Sequence, residues 1–179
     1  MLSIDPVVVT ADAVDELKTY VRIESEEEDP LIVALLSAAI RHGEDFTGQI
    51  FLRRAATDRL PVSSAWQRLG VTPVVSISGV TGLPLDGPAF PLPVSAYAID
   101  IDGAGDGWVR VTEPGAANRV DVSLIAGIAA DWPTLPETLR HGVIRLAAHL
   151  HGVRDAADDG GPPAIVAALW RPWRRMRLS

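Results

Sequence analysis

The hydrophobic period of this chain changes twice, and that change limits its fold more than any other feature. From Asp29 to Gly48, apolar residues recur at three- and four-residue steps: Leu31, Ile32, Leu35, Leu36, Ala39, Ile40 and Phe46. Such spacing lays a wide apolar face along a helix. Asp29 stands as its N-cap, Pro30 takes the first helical position and Gly48 stops it. Leu139, Val143, Leu146, Leu150 and Val153 repeat the pattern near the other end. Between these ends the period shortens to two. Val74 to Val80, Val94 to Ile101, Trp108 to Val111 and Val120 to Leu124 hold β-branched residues in partial alternation. The pattern predicts an α+β fold: a helical bundle from the N- and C-terminal segments with an inserted antiparallel β-rich region.

Local signals refine this outline. A first helix is expected after Thr10, with Asp12 in its first turn and Val14, Leu17 and Val21 as its stripe. Glu24, Glu26, Glu27, Glu28 and Asp29 form an acidic connector. Four to six antiparallel strands are expected between Phe51 and Ile128, joined by turns such as Asp86-Gly87-Pro88 and Gly103 to Gly107. Thr134 and Glu137 have capping-box spacing around Pro136, predicting a helix from Leu135 to about Ala157. Asp158 to Pro163 breaks it, and a last short helix from Ala164 runs into Pro172. The expected organisation is a helical core from 1–50 and 130–179 carrying a β-rich insertion over 51–129.

Composition narrows the function classes. Of 179 residues, 47% are apolar, enough for a sizeable core. The net charge of −7 sets the body of the chain against wrapping nucleic acid. The absence of cysteine removes disulfides, thiolate metal sites and cysteine nucleophiles. No basic, apolar leader opens the chain and no run approaches the ~20 apolar residues of a bilayer span, so a soluble protein made in the cytoplasm is expected.

Candidate chemistry is sparse. Asp100-x-Asp102-Gly-x-Gly-Asp106 suggests a calcium loop, but Ala104 and Val111 stand where two ligands belong, so a polar hairpin turn is the better reading. Of His42, His141, His149 and His151, the last two are two apart on a helix and point apart, and His141 and His149, about two turns apart, have no carboxylate on their face to complete a zinc set. Ser63, Ser64, Ser76 and Ser78 lack a nucleophile-elbow context, and the Gly103–Gly107 turn precedes a strand, not a phosphate-binding helix. The expectation is a protein that is not an enzyme, with no cofactor and no metal. One feature stands out. Trp170, Arg171, Trp173, Arg174, Arg175 and Arg177 combine aromatic and guanidinium groups, the types enriched at binding hot spots. Two tryptophans in a solvated tail are a liability unless a partner or the chain itself buries them.

The segments at both ends carry a resemblance. Asp29-Pro30-Leu31-Ile32-Val33-Ala34-Leu35-Leu36-Ser37-Ala38-Ala39, ending in Glu44-Asp45-Phe46-Thr47-Gly48, resembles the opening of phage head–tail connector (adaptor) proteins. Trp132-Pro133-x-Leu135-Pro136, followed by Ile144-Arg145-Leu146-Ala147-Ala148-His149-Leu150-His151-Gly152-Val153-Arg154, is similar to the family's late helix. Leu169-Trp170-Arg171-Pro172-Trp173-Arg174-Arg175-Met176-Arg177-Leu178 resembles its proline- and arginine-containing tail, with tryptophans where that tail has a tyrosine or other aromatic. The β-rich middle departs from the shorter all-helical members and looks like the longer form found in some siphophages and gene transfer agents.

The resemblance implies a homo-oligomeric ring, usually of twelve subunits, in the neck of a virion or virus-like particle. It implies a portal protein as one partner, touched by the C-terminal segment, and a stopper or tail protein as the other. DNA would pass through the channel without specific binding, and no membrane is involved. The alternatives are another neck or tail-completion protein, a small hydrolase with a spatially assembled site, and a nucleic-acid-binding module using the arginine tail. The strong terminal helices weigh against the first, because such proteins tend to be mostly β.

Overall fold

The computed structural model describes residues 1–152 and 162–175. In chain order the elements are β1 (Leu2–Ile4), α1 (Ala11–Val21), α2 (Asp29–Thr47), β2 (Arg54–Pro61), β3 (Gln67–Arg68) and β4 (Val74–Leu83). There follow β5 (Phe90–Pro91), β6 (Tyr97–Ile101), β7 (Gly107–Val111), β8 (Arg119–Ala126), α3 (Glu137–Gly152) and α4 (Ala164–Trp170). The fold is α+β. It divides into a β unit, Met1–Pro6 with Arg53–Ile128, and a helical unit, Val7–Leu52 with Ala129–Ser179.

In the β unit a five-stranded antiparallel sheet has the order β1-β2-β8-β4-β5. Its central strand β8 alternates cleanly: Val120, Val122, Leu124 and Ala126 are buried, and the residues between them face the other side. Ala56 of β2 lies opposite Leu124. On the other flank β4 slips register between Val74 and Ser76 and between Ile77 and Gly79. Such bulges shift side chains between faces, which is why β4 alternates only partly in sequence. A second sheet, β3-β7-β6, buries Val109 and Val111.

Four to six strands are expected between Phe51 and Ile128, and the described residues hold seven there, β2 to β8, with β1 outside that range. β1, β3 and β5 are two or three residues long, too short to display a period. β2 hides for a chemical reason. A carboxylate, Asp58, occupies one of its buried positions, where it accepts the Gly70 N–H at 2.7 Å. Val94–Ala96 forms a 3-10 turn, so strand β6 starts later than the β-branched run suggests. Leu2, Ser3 and Ile4, in the segment expected to belong to the helical core, pair with β2, and Met1–Pro6 groups with the β unit.

In the helical unit α2 packs on α1, α3 and α4. Leu17, Ile32, Leu36, Ile40, Leu139, Val143 and Ile144 form its core. Gly48 ends α2 in the left-handed region (φ 70°), its N–H donating to the Glu44 carbonyl at 2.8 Å. Asp29 is the first helical residue, not the cap; Glu28 holds the cap position. The capping box expected at Thr134 does not form. The Thr134 hydroxyl and N–H both donate to the Asp131 carboxylate, at 2.6 and 3.0 Å, and α3 starts at Glu137 behind Pro136. The expected continuation of α3 to Ala157 lies outside the described residues.

Candidate partner-binding surface

The C-terminal segment starts with α4, whose Val166 and Trp170 are four residues apart and share one face. Both are fully buried. The slot that receives Trp170 is made by two helix-interior glycines, residues that weaken a helix by about 1 kcal/mol each relative to alanine. A Cβ at Gly43 would strike the Phe51 ring and press on Trp170, and one at Gly142 would run into the indole itself. Phe51 meets the indole edge-on at 6.2 Å between ring centroids, with Phe46 at 6.0 Å and His42 at 6.5 Å. The indole N–H donates to the Leu139 carbonyl at 3.3 Å. Trp170 is therefore covered by its own chain.

Pro172 then turns the chain through a 3-10 segment, Arg171–Trp173. The Trp173 indole N–H donates to the Thr138 hydroxyl at 3.0 Å, and its carbonyl accepts the Gln49 amide at 2.5 Å. The Arg175 N–H donates to the Thr47 carbonyl at 2.9 Å, satisfying a group at the end of α2. Arg174 lays its guanidinium over Phe46 at 5.2 Å. Arg171 and Arg174 are exposed, and Trp173 and Arg175 are half-buried. Arg177 lies outside the described residues. Among the described residues the expected binding set thus divides into two packed indoles, Trp170 and Trp173, two exposed arginines, Arg171 and Arg174, and a half-buried Arg175. Sequence reasoning missed the receiving slot, although its signal was present: Gly43 and Gly142 interrupt helical patterns that need no glycine.

The acidic connector is only partly engaged. Lys18 pairs with Asp29 at 2.7 Å, and that hydrogen bond holds the ammonium above its ordinary pKa. His151 meets Glu28 at 3.2 Å and Arg140 meets Glu16 at 3.4 Å. Glu24, Glu26 and Glu27 are exposed.

The remaining candidates are placed as follows. Asp102 closes the β6–β7 turn: one carboxylate oxygen accepts the Ala104 and Asp106 N–H groups at 2.9 Å, the other the Trp108 indole at 3.0 Å. Asp106 pairs with Arg68 at 2.7 Å. The calcium-like spacing is a hairpin whose carboxylates serve the turn and its neighbours. His42 packs on Trp170 and His151 pairs with Glu28, so the histidines do not converge. Among the described residues no three His, Asp or Glu side chains are grouped to hold a metal ion. A shallow depression of about 690 Å³ lies along Asp15, Lys18, Thr19, Arg22, Ile23 and Glu24, with no histidine beside its one hydroxyl. No helix among the described residues is long and apolar enough to cross a membrane.

The chain matches no protein-family model and no curated protein sequence. Solved structures do resemble it. A chain from the neck of an empty GTA particle, computed with C6 symmetry, is 25% identical with a TM-score of 0.79, over 100% of this chain and 97% of that one. One from the virion of a native gene transfer agent (GTA) particle is 26% identical with a TM-score of 0.72, over the same shares of the two chains. A third, from the neck of a native GTA particle computed with C12 symmetry, is 22% identical with a TM-score of 0.72 and shows the fold alone; it covers 99% of this chain and 97% of that one. The chain thus shares its fold, end to end, with protein chains of gene transfer agent necks and virions.

Proposed function

We propose that this chain is a head–tail adaptor subunit, a structural protein of a particle neck and not an enzyme. Copies form a ring, of twelve in this reading, joining the portal at the capsid vertex to the stopper or tail. DNA passes through the channel without being held, as suits a chain of net charge −7. The observation that carries this reading is the likeness to the GTA neck chain, which spans all of this chain and nearly all of that one. A shared domain grafted onto an unrelated protein would not match at both lengths.

The C-terminal segment is the portal contact in this reading. Trp170 fixes its root inside the helical unit, and in this reading exposed Arg174 and the arginines that follow it in sequence, Arg175 and Arg177, supply guanidinium groups for the partner's carboxylates. The test is to mix the purified chain with portal rings and image the product. A second ring stacked on the portal is the expected result. Its absence, with a folded chain by circular dichroism, overturns the adaptor reading. Truncation after Trp173 keeps both anchors and should lower portal affinity at least tenfold; unchanged affinity removes the tail from the contact.

A further inference from the structure

α2 is apolar on more sides than its own unit covers. No charged residue occurs from Pro30 to Ile40. Ile32, Leu36, Ala39 and Ile40 face the core, yet Leu31, Ala34 and Ala38 form an outward row at helical steps, flanked by Val33. Leu31 is 40% exposed and Val33 38%. A helix apolar all round is ordinarily buried all round. α4 has the same property: Ala164, Ile165 and Ala168 face outward, Ile165 being 55% exposed. Its own α4 cannot cover the α2 row, because Trp170 fastens α4 at Gly43, more than a turn beyond Ala38.

Charge is divided between the same two places. From Ala11 to Asp29 acidic residues outnumber basic ones eight to two. From Thr138 to Gly152 and from Pro162 to Arg175 there is no carboxylate side chain, while Arg140, Arg145, Arg171, Arg174 and Arg175 fall there. The α2 row therefore begins beside exposed Glu24, Glu26 and Glu27, and the α4 row ends at exposed Arg171. Each row, Leu31 to Ala38 and Ala164 to Arg171, is about 10 Å long at about 1.5 Å per residue.

We infer that the α2 row of one copy receives the α4 face of a second copy, with the helices antiparallel and Arg171 against the acidic connector. The two patches differ, so the contact is heterologous and repeats head to tail; it closes where the rotation closes. This rests on the ring reading above and names the surfaces that would build the ring. The tail beyond Trp173 stays available to the portal.

The chain has no cysteine, so introduced pairs report cleanly. Ala34→Cys and Ala168→Cys each alter an exposed position. When the two single variants are mixed and mildly oxidised, the mixed disulfide should form at least tenfold faster than either homodimer, because bridging requires Cα atoms within about 7 Å. The double variant should give a ladder of covalent oligomers. Statistical amounts of homodimer and heterodimer overturn the pairing. Adding Arg171→Glu to the Ala168→Cys chain should slow the cross-link, and Glu26→Arg with Glu27→Arg on the Ala34→Cys chain should restore it. Electron microscopy of the unaltered chain separates the two readings. Rings without this cross-link overturn the pairing alone, a cross-linked ladder without rings overturns ring closure alone, and neither product overturns both.

Discussion

The two units solve the same electrostatic problem in opposite ways. In the β unit, opposite charges meet across the strands: Arg59 and Asp121 are directly paired in the β2–β8 register, and Arg68 reaches Asp106 beside β7. In the helical unit, charge is sorted by element, with acid along α1 and the connector and base along α3 and α4. Arg140–Glu16 and His151–Glu28 bridge that division, whereas Lys18–Asp29 lies within the acidic side. A sheet that cancels its own charge needs nothing further. A helical unit that leaves acid and base apart, each beside an apolar row, is built to meet complementary charge from outside.

The same contrast holds in the cores, and there the expected effects are largest. The β unit closes on short β-branched side chains such as Val109, Val120 and Val122, whereas the helical unit adds two large buried indoles, Trp132 and Trp170, to its leucines and isoleucines. Trp170→Ala should cost about 3–5 kcal/mol, the range for emptying a large aromatic from a packed core. The loss should be confined to the helical unit. Hydrogen exchange is the sharpest measurement: amides of α2, α3 and α4 should lose protection while those of β2, β4 and β8 keep theirs. A uniform loss across both units would break the comparison.

A milder pair of substitutions sharpens it. Gly142→Ala gains about 1 kcal/mol of helix propensity, but the new methyl group collides with the indole, and overpacking costs about 1–3 kcal/mol. The balance should be a loss of about 0–2 kcal/mol, accompanied by a shift in tryptophan emission as Trp170 is displaced. Gly79→Ala in β4 meets nothing within 4 Å at an ordinary backbone angle and should be neutral or slightly stabilising. Equal effects at the two glycines, by denaturant melts, would show that Gly142 is not there to admit Trp170.

What the sequence made legible follows from which physics is local. The helical period of α2 and the stop at Gly48 depend on near neighbours, and both stand where the sequence puts them. The bounds of α4, Ala164 and Trp170, were also readable from Pro163 and Pro172. β2 was not, since Asp58 makes sense only once Gly70 is folded beside it. The Thr134 capping box failed for a local reason instead: Asp131, three residues back, offered a competing carboxylate that captured the hydroxyl. At the candidate surface the residues were legible and their division of labour was not. Trp170 and Arg171 are adjacent in sequence, yet one is an internal anchor and the other faces water, because Gly43 and Gly142 lie far off in the chain.

The smallest expected effect tests the electrostatic contrast directly. The Arg59 guanidinium donates two hydrogen bonds to Asp121, both 2.8 Å, and they hold that carboxyl below its ordinary pKa. A depressed folded pKa means the stabilisation is complete above the unfolded value near ~3.9 and is lost as pH falls through the folded one. Lys18 is the mirror case. Its raised pKa gives a contribution complete below about 10.4 and lost as pH rises through the folded value. Asp121→Asn should therefore lower the β unit's melting temperature slightly at pH 7, the difference shrinking as pH falls below the unfolded value, and Lys18→Met should act on the helical unit at pH 7 and fade in strong alkali. Both differences should be small and shrink in salt, because Arg59 is 43% exposed and Asp29 40%. An Asp121→Asn difference that did not shrink as pH fell could not come from a charged pair. The β unit would then have lost its claim to neutralise itself, and the charge division in the helical unit would no longer set it apart.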